Sequence, residues 1–321
     1  MKLSVLTVPL QNEPAEEAFR YLSGLGVEMV ELGAGCYTNG NHLQREELIK
    51  DPAKAKALKE LLAKYSLEIS ALSCHGNPVH PQKEIAEHDH QVFEETVLAA
   101  ELLGLDTIVT FSGCPGDCPG SQYPNWVTCS WPPDYGKILD YQWNQVLIPY
   151  WEKAVKFAND HGVTRIALEL HPGFACYNTS SLLRLREAVG PTIGANFDPS
   201  HLFWQGMDPV AAIRALKGAI YHFHAKDTKV DPYNKAVNGV LDTGAYGDLS
   251  QRSWTFRTVG YGHGMEVWKD IISALRSAGY DGAISIEHED AYMSTREGLE
   301  KAVAFVKEIL IREHPAEMWW A

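Results

Sequence analysis

Strand-like and helix-like stretches alternate from one end of this chain to the other, and few architectures accommodate that rhythm. Short runs rich in β-branched and apolar residues lie at 3–8, 28–32, 67–74, 107–111, 165–171, 192–198, 219–224 and 282–288. Helical periodicity fills the gaps, at 14–24, 52–65, 85–103, 138–160, 179–188, 209–215, 265–277 and 294–311. Asp51-Pro52 and Asp208-Pro209 pair an N-cap with a first-turn proline, while Gly104, Gly162 and Gly279 close periodic stretches. Eight such alternations predict a closed (β/α)8 TIM barrel, with residues 1–321 forming one domain. A doubly wound open sheet is the competing architecture. Against it, the chemistry-bearing residues come from many strands, and no glycine-rich phosphate fingerprint follows the first one.

Two long loops leave the fourth and seventh strands, at 112–136 and 227–262. In a parallel barrel both would open on the face where such enzymes build their sites. Their aromatic residues, including Trp126, Trp131, Tyr135, Trp254 and Phe256, argue for ordered lids.

Composition narrows the partners. The formal net charge is −13 and no cluster of Lys and Arg stands out, which disfavours nucleic acid. No apolar run approaches membrane-spanning length, and the first residues are too short a stretch for a signal peptide. Six scattered cysteines without a C-x-x-C pair fit reduced thiols in a cytoplasm. Cys114 and Cys118 lack histidines at zinc-site spacing. Trp319 and Trp320 are apolar groups that would dock on the barrel or on a neighbouring copy, so a homo-oligomer is open.

Four segments end their apolar runs in carboxylates or imidazoles: LEL-His171 with Glu169, NF-Asp198-PS-His201, HF-His224-AKD and SI-Glu287-HED. Side chains alternate faces along a strand, so Leu168 and Leu170 turn to the helices and Glu169 and His171 turn inward. The same test turns Asn196 and Asp198 inward, then His222, His224 and Lys226, then Ser285, Glu287 and Glu289. Glu169, Asp198, His224 and Glu287 thus make a mostly oxygen donor set at one mouth. Mn²⁺, Mg²⁺ or Co²⁺ suits it better than it would suit thiolates, and Zn²⁺ is also compatible. Three carboxylates buried together without a cation would be costly.

With these motifs the chain resembles the xylose isomerase-like TIM barrels, the sugar phosphate isomerase/epimerase or AP endonuclease 2 superfamily. Glu31 in MVELG, His75 in SCHGN and Arg257 in FRTVGYGHG match as well, so the resemblance spans nearly the whole sequence. In the D-tagatose 3-epimerase group two glutamates and an Asp/His pair hold a divalent metal, usually manganese. The resemblance therefore implies Glu169, Asp198, His224 and Glu287 as ligands, with Glu169 and Glu287 doubling as the acid/base pair. A metal there would acidify the C–H between a carbonyl and a hydroxyl. One glutamate would take that proton to give an enediolate and the other would return one to the opposite face. The resemblance further implies substrate contacts from Glu31, His75, His201 and Arg257. His171 would bond a sugar hydroxyl, act as an extra base, or simply line the mouth. His222 reads as a core histidine, and Lys226 and Asp227 as partners of neighbouring groups.

The expected activity is thus a metal-dependent isomerisation or epimerisation of a ketose or keto-sugar. Elimination from 3-keto-glycosides is the alternative, as in C-glycoside deglycosidase α subunits, which work with a small β subunit. Endonuclease IV chemistry is disfavoured. The fourth strand ends in TFSG without a histidine, and no Asp-x-His pair appears between His224 and Gly264.

Overall fold

A computed structural model of the protein describes residues 1–314 and 317–320. Eight parallel strands close into a barrel: β1 (Lys2–Leu6), β2 (Met29–Gly33), β3 (Glu68–Ser73), β4 (Thr107–Thr110), β5 (Arg165–Glu169), β6 (Ile193–Phe197), β7 (Ile220–Ala225) and, after a short hairpin, β10 (Ala283–Ile286). The hairpin pairs β8 (Asp227–Val230) antiparallel with β9 (Trp254–Arg257). Helices cover the barrel's outside, as the alternation requires. Among the described residues no helix is long and apolar enough to cross a membrane.

Alternation along the strands sorts the side chains. Leu168, Phe197, Phe223, Ile284 and Ile286 join the large core between sheet and helices. Ala71, Val109 and Ala167 form a separate small cluster inside the barrel. Small interior residues at that level leave room above them for polar groups. Ser73, Asn196, His222, His224 and Ser285 are all buried there.

Three features differ from the sequence expectation. β5 stops at Glu169, and His171 sits in a tight turn, its N–H within 2.9 Å of the Glu169 carbonyl. The helix expected over 138–160 begins at Pro133 and runs through a π-helical stretch, Tyr141–Leu147, before Ile148–Asp160. Pro149 lacks an N–H and crowds the preceding turn, which an unbroken α-helix would not accommodate there. Finally, the loop over 227–262 carries the β8–β9 hairpin, four residues per strand and too short to signal itself by period.

Asp227 fastens that hairpin to the barrel. Its carboxylate accepts N–H groups from Gly260 (3.0 Å), Gly262 (3.0 Å) and His263 (2.9 Å), and the Trp268 indole (3.2 Å). A side chain at Gly262 would run into the Thr228 carbonyl at 2.2 Å, so the closure demands glycine.

Candidate metal and proton-transfer centre

The ends of β5, β6, β7 and β10 converge. Glu169, Asp198, His224 and Glu287 each offer a ligand atom, all lying within 4.8 Å of one another. Asp198 owes its pose to a cap: its Oδ1 accepts the Ser200 N–H (2.8 Å) at the start of the short helix Pro199–Trp204. Its other oxygen, Oδ2, is buried and has no hydrogen-bond donor. The Lys226 ammonium stands 3.2 Å from that oxygen, outside hydrogen-bonding geometry. Burial, with the Glu169 and Glu287 charges beside it, pushes the Asp198 carboxyl up to about 7, against the pull of Lys226.

Glu169 is held by four neighbours. Burial opposes its charge, but the imidazoles of His201 (3.0 Å), His224 (3.4 Å) and His75 (2.9 Å) hold its carboxyl well below the usual range, and the Asn196 amide donates to it as well (3.2 Å). Glu287 is only partly buried, and its carboxyl is held down at about 2, against the cost of desolvation, by Lys226 at 2.7 Å and the His224 ring at 3.1 Å. The two differ in access: the Glu287 side chain keeps 15% of its surface and Glu169 keeps 2%. Substrate can reach Glu287 more directly.

His224 uses both ring nitrogens. Nδ1 faces Glu287 and Glu169, while Nε2 lies 3.0 Å from each oxygen of Glu31. Glu31 also accepts the Ser73 and Ser285 hydroxyls and is fully buried. It therefore does not line the mouth, contrary to the substrate contact expected for it. It acts on His224, fixing the ring so that Nδ1 points at the ligand cluster.

The remaining expected contacts divide. His75 and His201 touch Glu169 directly. His171 lies against His201, with ring centroids 4.1 Å apart and the planes tilted by 54°, and its Nδ1 is bonded to the Pro172 carbonyl at 2.6 Å. Nε2 is then the free nitrogen. Burial pushes this imidazole down to about 3, so it stays neutral at ordinary pH. Arg257 is not brought to the cluster. Its guanidinium bonds Asp290 (3.1 Å) and stacks over Tyr292 (4.5 Å), while its neighbour Phe256 meets the edge of His201 (5.3 Å). Sequence reasoning also missed the aromatic walls. Phe111 stacks on Phe174 (4.0 Å) beside His75 and His171. Single phenylalanines just past strand ends carry no pattern that marks them.

The cluster fits a divalent cation. It offers three carboxylates and one imidazole at the ends of four separate strands, and it leaves a buried carboxylate oxygen without a donor. The sequence profile described as xylose isomerase-like TIM barrel matches residues 19–309, and the chain belongs to that family. The uncharacterized protein YfiH of Bacillus subtilis strain 168 is 39% identical over 312 residues, covering 97% of this chain and 99% of YfiH. Among solved structures, the probable 3-DHS dehydratase AsbF of petrobactin synthesis from Bacillus anthracis superposes with a TM-score of 0.65 at 19% identity, over 96% of this chain and 99% of that one. A D-tagatose 3-epimerase-like protein gives 0.63 at 19% identity, over 96% and 98%. At that level of identity the shared property is the fold.

Proposed function

We propose that the protein is a divalent-metal-dependent isomerase or epimerase of a ketose or keto-sugar, with Glu169 and Glu287 as its proton-transfer pair. Glu169, Asp198, His224 and Glu287 would hold the metal, manganese being the first expectation for this donor set. When bound, that ion supplies Lewis acidity toward a carbonyl and its adjacent hydroxyl. Family membership supports the reading, as does the likeness in fold to a D-tagatose 3-epimerase-like protein.

The observation that carries it is the pairing of two ionised glutamates on strands separated by β6 and β7, around one Asp/His pair. Glu287, the more accessible, takes the proton from the carbon beside the carbonyl and leaves an enediolate. Glu169, on the other side, returns a proton to that carbon after first taking one up from solvent, because its donors hold it ionised at rest. Lys226 keeps the Glu287 carboxylate aimed. His201 and His75 orient Glu169, and Phe111, Phe174 and Phe256 exclude water.

The test is solvent deuterium incorporation into ketoses, with Glu287→Gln and Glu169→Gln as controls. The proposal expects each variant to lose exchange. Near-normal exchange in either removes that residue from the pair.

A further inference from the structure

Among the described residues, one metal-competent cluster shares no side chain with the barrel interior, and it joins a thiol, an imidazole and a carboxylate. Cys36 opens the short turn Cys36–Thr38 after β2, while His88 and Asp89 lie on the helix Lys83–Leu103. Each offers one ligand atom, and the three atoms lie within 4.8 Å of one another. Asp89 Oδ1 is common to both contacts, 3.2 Å from Cys36 Sγ and 2.9 Å from His88 Nδ1. The chemistry proposed above uses none of these residues.

Hydrogen bonds alone leave the cluster short of positive charge. Asp89 is buried, and among the described residues no Lys or Arg pairs with it. A buried carboxylate without a cation is costly. The Arg45 guanidinium nearby is engaged by Glu95 (2.9 Å) and by the Ala34 carbonyl (2.7 Å). The carboxylate is also held in place: its Oδ2 accepts the Asn77 N–H at 2.7 Å, which leaves Oδ1 to the sulfur and the ring. Gly76 backs the sulfur closely, since a Cβ there would lie 2.8 Å from Cys36 Sγ and 3.1 Å from Asp89 Oδ2. Solvent reaches the cluster past His88, whose side chain keeps 64% of its surface.

The spacing suits a small tetrahedral ion. Zinc bond lengths separate sulfur from oxygen donors by about 3.6 Å and nitrogen from oxygen by about 3.4 Å. The present contacts need to widen by only about half an ångström to reach those values. A thiolate with an imidazole selects a softer metal than the oxygen-rich barrel mouth does. We infer that Cys36, His88 and Asp89 form an accessory zinc site, with water as the fourth ligand. Burial pushes the Cys36 thiol up, so it carries its proton at rest. On binding, the S–H bond breaks, a sulfur–metal bond forms and the proton leaves to solvent. The ion would tie the turn after β2 to the helix behind the loop that presents His75. That loop is already gripped from both sides, through the Asn77 N–H on Asp89 and the Tyr37 N–H on the His75 carbonyl (2.9 Å).

The test is spectroscopic titration of the reduced full chain with Co²⁺, which substitutes for zinc and shows a charge-transfer band only where a thiolate binds it. The barrel-mouth cluster holds no sulfur, so cobalt bound there is silent in that band. The band should appear in the wild-type protein, fade as Zn²⁺ is added, and persist in excess Mg²⁺. It should be lost in Cys36→Ser, require more cobalt in His88→Ala, and stay intact in Asp198→Asn. His88 is exposed, so His88→Ala decides the matter even where Cys36→Ser folds poorly. A wild-type protein without the band at saturating cobalt overturns the inference. So does a titration unmoved by His88→Ala, or a band that survives Cys36→Ser through the exposed Cys118 or Cys129. The site stands or falls independently of the isomerase reading.

Discussion

Both carboxylate oxygens of Glu31 lie 3.0 Å from Nε2 of His224, although the residues are 193 positions apart in the sequence. The contact fixes the imidazole tautomer and leaves Nδ1 for the ligand cluster. Glu31→Gln keeps the shape but removes the charge. It should weaken divalent-metal affinity by about 10–100-fold, the usual cost of losing such a partner. His224→Ala should lose more affinity than Glu31→Gln. Metal titration of the apo-proteins checks both, and unchanged affinity in Glu31→Gln would show that His224 is oriented by something else.

Metal binding should release protons in a pH-dependent number. Burial opposes a charge on His224, but Glu31 and Glu287 hold its imidazole protonated far above the usual range, so coordination displaces one proton from it. The Asp198 carboxyl, raised by burial to about 7, is ionised well above that pH and protonated well below it. Affinity should therefore fall with decreasing pH by about one factor of ten per unit above pH 7, and by about two per unit below it. Calorimetry in buffers of different ionisation enthalpy reads the proton count directly. A count that stays constant from pH 6 to 8 contradicts this arrangement.

Asp227→Ala should destabilise the protein by about 3 kcal/mol, because it strands one buried and several part-buried donors at once. Those donors are the Gly260, Gly262 and His263 amides and the Trp268 indole. Denaturant unfolding measures the loss, and Asn at this position should recover part of it. A change below about 0.5 kcal/mol would mean the turn holds without its carboxylate.

The barrel and the cluster were legible because period-two alternation fixes which face a residue takes, and four strands agreed. Glu169, Asp198, His224 and Glu287 all follow from that rule. The rule carries one residue past a strand end, to Asp198 and Glu287, and no further. His171 reaches His201 through a turn, and the four-residue strands of the β8–β9 hairpin are too short for a period to show. Nor does a strand such as MVELG reveal what its glutamate meets across the barrel. Glu31 is turned from substrate to His224 by the closure of the barrel, which brings β2 within reach of β7. Arg257 and Phe256 show the same limit. Adjacent on one strand, they part to opposite sides, and the aromatic residue is the one that meets His201.

The most direct measurement of the central claim is deuterium incorporation from solvent into a panel of free ketoses and 3-keto-glucosides, with Mn²⁺ added and again after chelation. The account predicts exchange at the carbon beside the carbonyl, an isomer or epimer appearing with it, and loss of both on chelation. Exchange that survives complete metal removal would contradict it, as would metal-loaded protein that exchanges no keto-sugar.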